Sequence, residues 1–571
     1  MKKIICTIVS ILYFNICVAT AGDSFHVTVQ GKPEGNGTLE NPWDLNTALN
    51  RTSVIRGGDT VWVHSGTYLG VFRSTLRGNA AAPVIVKAVS DFDVILDGNV
   101  ASSNQTLAIE GQYVWYIGLT VTCSNPNRIA DGPSPVNTKD GIYFIGRNNK
   151  LINCVIRDNG GNGIGFWSPA IDSEIYGCII YHNGYRGNDR GHGHGIYTQN
   201  AQGTKLITDN IFFNSFGIGI HAYTENGAIQ GFKIEGNTFF NSGLPGADFL
   251  ERHIIAGGLQ PVDRTVVTNN YFYFKPRYPA KAGVQFGYSS ANYNAEFTNN
   301  YMVDGSFYTV RNWRSIQFTG NTMVSTIPDL QLIAFDSFSN IQNPTFNNNT
   351  YYRGNLASLS FQGWKNLTNQ DGSSNYFSSE PAETNYFIRK NQYEAGRANL
   401  TIFNWYNSQY VNVNVSDILT PGDTYELYDV SRLSKGPTAT GVFDGISIAV
   451  SMEPTEVDLP NGHLPNLNQF EHTAPRFGVF IIKRTKSNSE VSNHDVTNPG
   501  GQRSNPLKAW AHNGLLHISG LTVGETLHVY SASGVCVYRT VITSREMRFH
   551  LKMKGIYFIQ SADHSVRVVA G

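Results

Sequence analysis

An all-β solenoid is the fold class this sequence predicts, and three observations predict it. The first is a repeat. Between residues 140 and 337, segments of one type (NCVIRDN, GCIIYHN, DNIFFNS, GNTFFNS, NNYFYF, NNYMVDG, GNTMVST) interleave with segments of a second type (DGIYF, NGIGF, HGIYT, IGIHA, GGLQP, AGVQF). Aligned, they put Cys154, Cys178, Asn210, Asn237, Asn270, Asn300 and Asn321 at one equivalent position, at intervals of about 20 to 33 residues, which is a solenoid period. The second is periodicity: each unit holds two short alternating runs and no 3.6-residue pattern, so its segments are strands. The third is punctuation, with Gly, Asn and Ser between the runs as turn formers. One coil cannot bury its own apolar side, so successive coils must stack.

The elements follow in chain order. Lys2 and Lys3, the apolar run Ile4 to Val18 and Ala19-Thr20-Ala21 before Gly22 form a charged start, a core too short to span a bilayer and a small-residue cleavage site. Residues 1–21 therefore read as an export signal, and a secreted or cell-surface protein is expected. Asn41 to Leu49 is predicted as a short helix over the open end of the core, with Asn41 as N-cap and Pro42 at its first position. In Ile142-Tyr143-Phe144, Ile196-Tyr197-Thr198 and Ile220-His221-Ala222 the first residue points inward and the second outward, because side chains alternate along a strand. The ladder Asn residues hydrogen-bond to the coils above and below and tolerate a left-handed backbone; Cys154 and Cys178 read as small buried thiols. Regular coils fade after Tyr352. Strand-like runs within 386–485, such as Asn399 to Phe403 and Phe477 to Ile482, read as a β-sandwich, the polar 486–506 as a linker, and 507–571 as a last small domain.

The repeat, together with GGDTVWVHSGTYLGVFRSTLRGNAAAPVIVKA (57–88), resembles the right-handed parallel β-helix proteins, the architecture of pectate lyases, alginate and chondroitinase B-type lyases and several glycoside hydrolases. The resemblance covers about residues 26 to 355. It implies a right-handed parallel β-helix over 22–385 and a carbohydrate-active protein, without fixing the reaction, because one fold hosts unrelated chemistries. The closing segments GLLHISGL, LHVYSASGVCVY and KGIYFIQSADHSVRVVAG resemble the C-terminal sorting domains of type IX secretion cargo in Bacteroidetes. That implies a small β-sandwich-like sorting domain, with the secretion machinery as partner.

Composition excludes several classes. Lys+Arg and Asp+Glu are both 43, so no global field steers the chain to nucleic acid or an anionic membrane. No later run is apolar enough to cross a membrane. Of six cysteines, Cys6 and Cys17 lie in the export signal; Cys123, Cys154, Cys178 and Cys536 are too few and scattered for a disulfide framework. A large core must supply stability, and a monomer is expected.

The site is predicted where the repeat is interrupted. From ladder residue to the Gly opening the closing strand, Cys154 to Gly163 and Asn210 to Gly219 both span nine residues; Cys123 to Gly141 spans 18, Cys178 to Gly195 17, Asn237 to Gly257 20 and Asn270 to Gly283 13. Insertions at one corner of neighbouring coils build a wall beside the outward column Tyr143, Tyr197, His221, Gln260 and Gln285, and a wall beside a flat sheet makes a groove. Functional groups on loops of a rigid scaffold are the usual arrangement. Trp167, Tyr197 and Tyr223 offer faces for sugar rings, while Gln199, Asn200, Gln260 and Gln285 can pair with hydroxyls. The wall contributes His182, Arg186, Asp189, Arg190, His192 and His194, then Asp248, Glu251, Arg252 and His253, then Lys275, Arg277 and Lys281.

Two reactions fit. For β-elimination from a uronate, Lys281, Arg277, Arg252 and His221 suit proton abstraction and stabilisation of the developing charge. For hydrolysis, Asp189, Asp248, Glu251 and Glu225 are the carboxylates that could flank the bond. The catalytic candidates are thus His194, His221, Glu251, Lys281, Asp189 and Asp248, and the substrate-binding candidates Trp167, Tyr197, Gln199, Tyr223, Arg252, Gln260, Arg277 and Gln285. No cofactor is assigned; the HGHG stretch supplies no third ligand at a fixed offset, and calcium on Asp189, Asp248 or Glu251 is the ion the loops best suit. A secreted polysaccharide-degrading enzyme acting on a polysaccharide or oligosaccharide is expected, a lyase in preference to a hydrolase because of the loop cations, with a non-catalytic glycan-binding or adhesive protein as the other class.

Overall fold

The computed structural model describes residues 22–101, 104–132, 134–246, 252–274, 282–462 and 470–487 of a first compact unit. Of a second unit it describes 508–512, 515–519, 521, 523–531, 536–550, 555–561 and 564–570. The first unit is a right-handed parallel β-helix with three faces. Face A has 12 strands, from Ser24–Val27 to Ile341–Asn347; face B has 12, from Gly66–Leu69 to Asn375–Phe377; face C has 11, from Phe72–Ser74 to Asn355–Leu356. A representative coil runs along face A in Lys205–Thr208, turns at Asn210, follows face B in Ile211–Phe213 and face C in Ile220–Ala222, then re-enters face A at Ile229–Glu235.

The predicted inward column exists. Ile142, Ile164, Ile196, Ile220, Ile254 and Val284 are consecutive register partners on face C, and all are fully buried. Phe212, Phe239 and Phe272 stack beside them at 4.7 and 5.1 Å. The Asn ladder is also as expected and continues to Asn349. Asn237 Oδ1 accepts from the backbone N–H and the side chain of Asn210, both at 2.9 Å, and Asn270 Oδ1 accepts likewise from Asn237 at 2.9 and 3.0 Å. The left-handed backbone, however, falls one residue earlier. Asn153, Asp209, Asn269, Asn299 and Asn348 have φ of 53 to 56°, with Gly177, Gly236 and Gly320 filling the same place in other coils. A Cβ crowds the following carbonyl in this conformation; Gly lacks one, and Asn and Asp offset the cost by hydrogen-bonding locally.

Three alignments differ from expectation. Thr120 pairs with Val155, so the ladder residue of that coil is Leu119, and Cys123 follows the strand instead of opening it. Its insertion therefore runs from Leu119 to Gly141. In the coil after Asn237 the face C strand is Ile254–Ala256, not GGLQP, so its insertion ends at His253 and Gln260 leaves the outward column to Ile255. The first helix spans Leu45–Asn50 and is capped by Asp44, whose carboxylate accepts from Thr47 N at 2.9 Å. Asn41 and Pro42 are not in it: Trp43 is held by a parallel bridge to Val27, which delays the helix. Leu45, Ala48 and Leu49 still close the core, and at the other end Phe361–Thr368 does so with Trp364, stacked on Phe335 at 5.7 Å.

Residues 385–486 form a five-stranded antiparallel sheet and a two-stranded ribbon packed as an unequal sandwich. The larger sheet covers face B: Phe477 stacks on Tyr273 at 4.4 Å, and Arg389 pairs with Asp209 at 2.7 Å. With face B covered, face C remains open, and face A is covered only where residues 390–393 pack on Trp115, Lys150, Glu174 and Tyr176. The second unit is two antiparallel sheets of three and four strands around Leu516, Ile518, Leu527, Val529 and Ile559. Residues 1–21 and most of the expected linker lie outside the described residues, and among those described no helix is long and apolar enough to cross a membrane.

Candidate functional site

Face C carries the candidate site. Its outward column reads Tyr143, Gly165, Tyr197, His221, Ile255, Gln285 and Tyr308 in consecutive register. Gly165 is the informative gap. A Cβ there would lie 2.6 Å from Trp167 Nε1, so only glycine lets the indole lie back across the strand between Tyr143 and Tyr197. The rings then form a lane: Tyr143 to Trp167 6.2 Å, Trp167 to Tyr197 5.4 Å, Tyr197 to Tyr223 6.4 Å and Tyr223 to Tyr288 5.7 Å. Lys205 fixes the strand ends beneath it, its buried ammonium donating to the carbonyls of Phe166, Trp167 and Gln199 at 2.7, 2.7 and 2.8 Å.

At the centre of the lane sit two histidines from adjacent coils. His221 Nδ1 lies 3.1 Å from His194 Nε2, and His194 Nδ1 accepts from Ile218 N at 3.0 Å. The His194 ring stacks on Tyr197 at 5.8 Å, while His221 meets Tyr197 edge-on at 5.3 Å and Tyr223 at 5.1 Å. Burial pushes His221 down to about 3, with Arg190 adding to it, and holds His194 well below the usual range, helped by His221 and Arg190. The Tyr197 hydroxyl is pushed up to about 12, first by burial.

The insertions knit into one edge. Ile129 pairs with Arg186, Tyr185–Arg186 and Gly191–His192 form a small antiparallel ribbon, and Ile129, Phe216, Leu244 and Phe470 share a cluster. Along the start of face C, register places Asp140, Asn162, His194 and Arg252 in one row, two residues before the inward column. Asn162 donates from its backbone and side chain to Asp140 Oδ1 at 2.6 and 3.2 Å and accepts from His194 N at 3.1 Å. Burial pushes the Asp140 carboxyl up to about 6 against those two hydrogen bonds. Asp140 opens the DGIYF segment, yet sequence reasoning missed it, because only its burial sets it apart from other turn aspartates.

His194, His221, Trp167, Tyr197 and Tyr223 are therefore brought together as expected, with Gln199 one strand position beyond Thr198. Other expectations need correction. His182 and His253 are fully buried, His253 stacked on Phe274 at 4.0 Å and His182 beside Tyr181 and Phe470, so neither lines a wall. Asp189 is exposed but bonded to His192 at 2.8 Å, and His192 holds its carboxyl below the usual range, which does not suit a protonated general acid. Gln285 is buried, its amide taken by Arg252 Nε at 2.9 Å and the Gly287 carbonyl at 3.0 Å, and Asn200 is turned to the Gln230 carbonyl. Gln260 donates to the Glu225 carbonyl off the column. Asp248, Glu251, Lys275, Arg277 and Lys281 lie outside the described residues. Among the described residues no three His, Cys, Asp or Glu side chains gather as metal ligands.

A family model described as right handed beta helix region matches residues 60–260. No curated protein matches the chain. Solved structures that it resembles include a rhamnogalacturonan lyase (12% identity, 62% of this chain and 87% of that one, TM-score 0.40) and an alginate lyase from Paenibacillus sp. str. FPU-7 (16%, 63% and 98%, 0.32). A third is a GH136 lacto-N-biosidase from Eubacterium ramulus (14%, 63% and 67%, 0.33). The likeness is one of fold.

Proposed function

We propose that this chain is a secreted polysaccharide-degrading enzyme working in the face C groove, and that it cleaves a uronate-containing glycan by β-elimination. One observation carries the reading. The ring lane from Tyr143 to Tyr288 crosses six coils, about 24 Å at the spacing of neighbouring strands, and flanks a desolvated histidine pair. Amphipathic rings present flat apolar area with polar tips, which suits sugar rings and their hydroxyls. A run of this length fits a chain molecule better than a small metabolite.

Elimination is preferred because donors, not paired carboxylates, line the lane's centre. In that reaction a base takes the C5 proton, charge develops on the uronate carboxylate, the C4–O bond breaks and the leaving oxygen gains a proton. His221 and Arg252 would bind the carboxylate, and Tyr197, protonated at neutral pH, would supply the leaving oxygen's proton. Lys281 is the proton acceptor in this scheme. Asp140 favours hydrolysis as the second reading, since a carboxyl near 6 suits a general acid; it then needs a partner carboxylate, for which Glu225 is the nearest expectation. Digestion of acidic and neutral polysaccharides separates these: an ultraviolet-absorbing unsaturated product means elimination, reducing ends without it mean hydrolysis, and neither favours a binding protein. The reading also takes residues 1–21 as an export signal and 507–571 as a type IX sorting domain, on the motifs given for each.

A further inference from the structure

The hydrogen bonds around His194 run in one direction only. The backbone N–H of Ile218 can only donate, so His194 Nδ1, 3.0 Å away, carries no proton. An imidazole keeps at least one proton, which for His194 must then sit on Nε2. That atom is 3.1 Å from His221 Nδ1 and donates to it. His221 Nδ1 is thereby an acceptor, and its own proton sits on Nε2, the far side of the ring. His221 is partly exposed on the outward column, and among the described residues its Nε2 has no protein partner. The groups facing the pair are the rings of Tyr197 and Tyr223, with Arg190 and His192 nearby; the carboxylate of Glu225 acts on the two tyrosines, and among the described residues no carboxylate acts on either imidazole to favour an imidazolium.

We propose that His194 is a positioning residue that locks His221 as the neutral imidazole with its proton on Nε2, so that the groove offers a fixed hydrogen-bond donor, and no proton-abstracting base, to an acceptor oxygen of the bound glycan. The identity of that acceptor rests on the proposed function; in the elimination scheme it is the uronate carboxylate. A neutral imidazole held as a donor is an established way to polarise an oxygen without changing charge with pH. The low pKa values of both rings agree with the lock. The expectation that His221 could abstract the proton is thereby withdrawn.

Histidine-selective ¹⁵N labelling of the full chain tests this, with His221→Ala and His194→Ala spectra used for assignment. Both rings are expected as neutral Nε2–H tautomers, with no titration between about pH 8 and pH 5, whereas an ordinary histidine titrates near 6.5. His194→Gln should preserve the His221 spectrum, because its amide can accept from Ile218 N–H and donate to His221 Nδ1 at once. His194→Ala should let His221 titrate toward its ordinary value and lower turnover by about tenfold or more, and Gln should restore turnover to within about threefold. A proton on His221 Nδ1 in the parent, an imidazolium spectrum above about pH 5, or equal turnover in the parent and His194→Ala would overturn the proposal. The expected spectra in a parent that degrades no glycan would support the lock and count against the proposed function alone.

Discussion

Asn237→Ala removes four hydrogen bonds from the middle of the ladder. Its Oδ1 accepts from the backbone and side-chain nitrogens of Asn210, both at 2.9 Å, and its Nδ2 donates to the Ile207 carbonyl at 2.8 Å and to Asn270 Oδ1 at 3.0 Å. A hydrogen bond contributes a net of about 1 kcal/mol, and a buried donor left without a partner costs about 1 to 3 kcal/mol. Asn210 keeps its side-chain bond to the Ile175 carbonyl, at 2.9 Å, but its backbone N–H is stranded. The sum is about 5 kcal/mol, comparable with the whole stability of a typical domain. Urea unfolding of parent and variant, followed by circular dichroism, measures it through the midpoint and slope. Asn343→Ala is the control, because Asn343 is exposed and bonded only to the Arg314 carbonyl; it should change stability by no more than about 0.5 kcal/mol. A loss below about 1 kcal/mol for Asn237→Ala would refute the ladder's energetic role.

Acid should destabilise the first unit. His182 and His253 are pushed down to about 3 by burial, so the unfolded chain binds their protons below about 6.5 while the folded chain does not, and stability falls from pH 6.5 toward 3. At pH 5 each costs about 2 kcal/mol; Asp140 and Asp304, pushed up to about 6, return about 1 kcal/mol each as they protonate first in the folded state. Unfolding free energies that are equal at pH 8 and pH 5, or higher at pH 5, would contradict this. Trp167→Ala should weaken binding of a long oligosaccharide about fivefold, the loss of one ring contact of about 1 kcal/mol, with little change for a short one; calorimetric titration against both would detect a uniform loss instead. Intact mass of secreted protein should begin near Gly22 and lack the segment from about residue 507; a chain retaining Met1 or its C-terminus would count against the corresponding signal.

The fold was legible because burial and period coincide: Ile142, Ile164, Ile196 and Ile220 are inward aliphatics in four successive coils, and a parallel stack buries them together. Register was less legible where residue type misled. Cys123 resembled a ladder residue, but Val121 supplies the inward side chain of the strand Thr120–Thr122, which ends before it, and Gly257 resembled a strand opener although Ile254 supplies the inward side chain. Of the candidate site's rings, Tyr143, Trp167, Tyr197 and Tyr223 follow from alternation, whereas Tyr288, the last of the lane, has no such signal. The sequence puts His194 and His221 in one groove, but not their hydrogen bond or the place of Asp140, because these links join residues far apart in sequence, His194 to His221 across 27 positions and Asp140 to Asn162 across 22. Burial of His182 and His253 likewise depends on which neighbours close over them, and local sequence does not encode that.

Substitutions on face C and at exposed positions of face A test whether the chemistry takes place on face C, with any polysaccharide the parent degrades. Turnover should fall about a hundredfold or more in His221→Ala and fall severely in Tyr197→Ala, while Lys233→Ala and Arg264→Ala on face A, both exposed there, should leave it within about twofold. Full activity in both face C variants, or its loss in the face A pair, would place the reaction elsewhere.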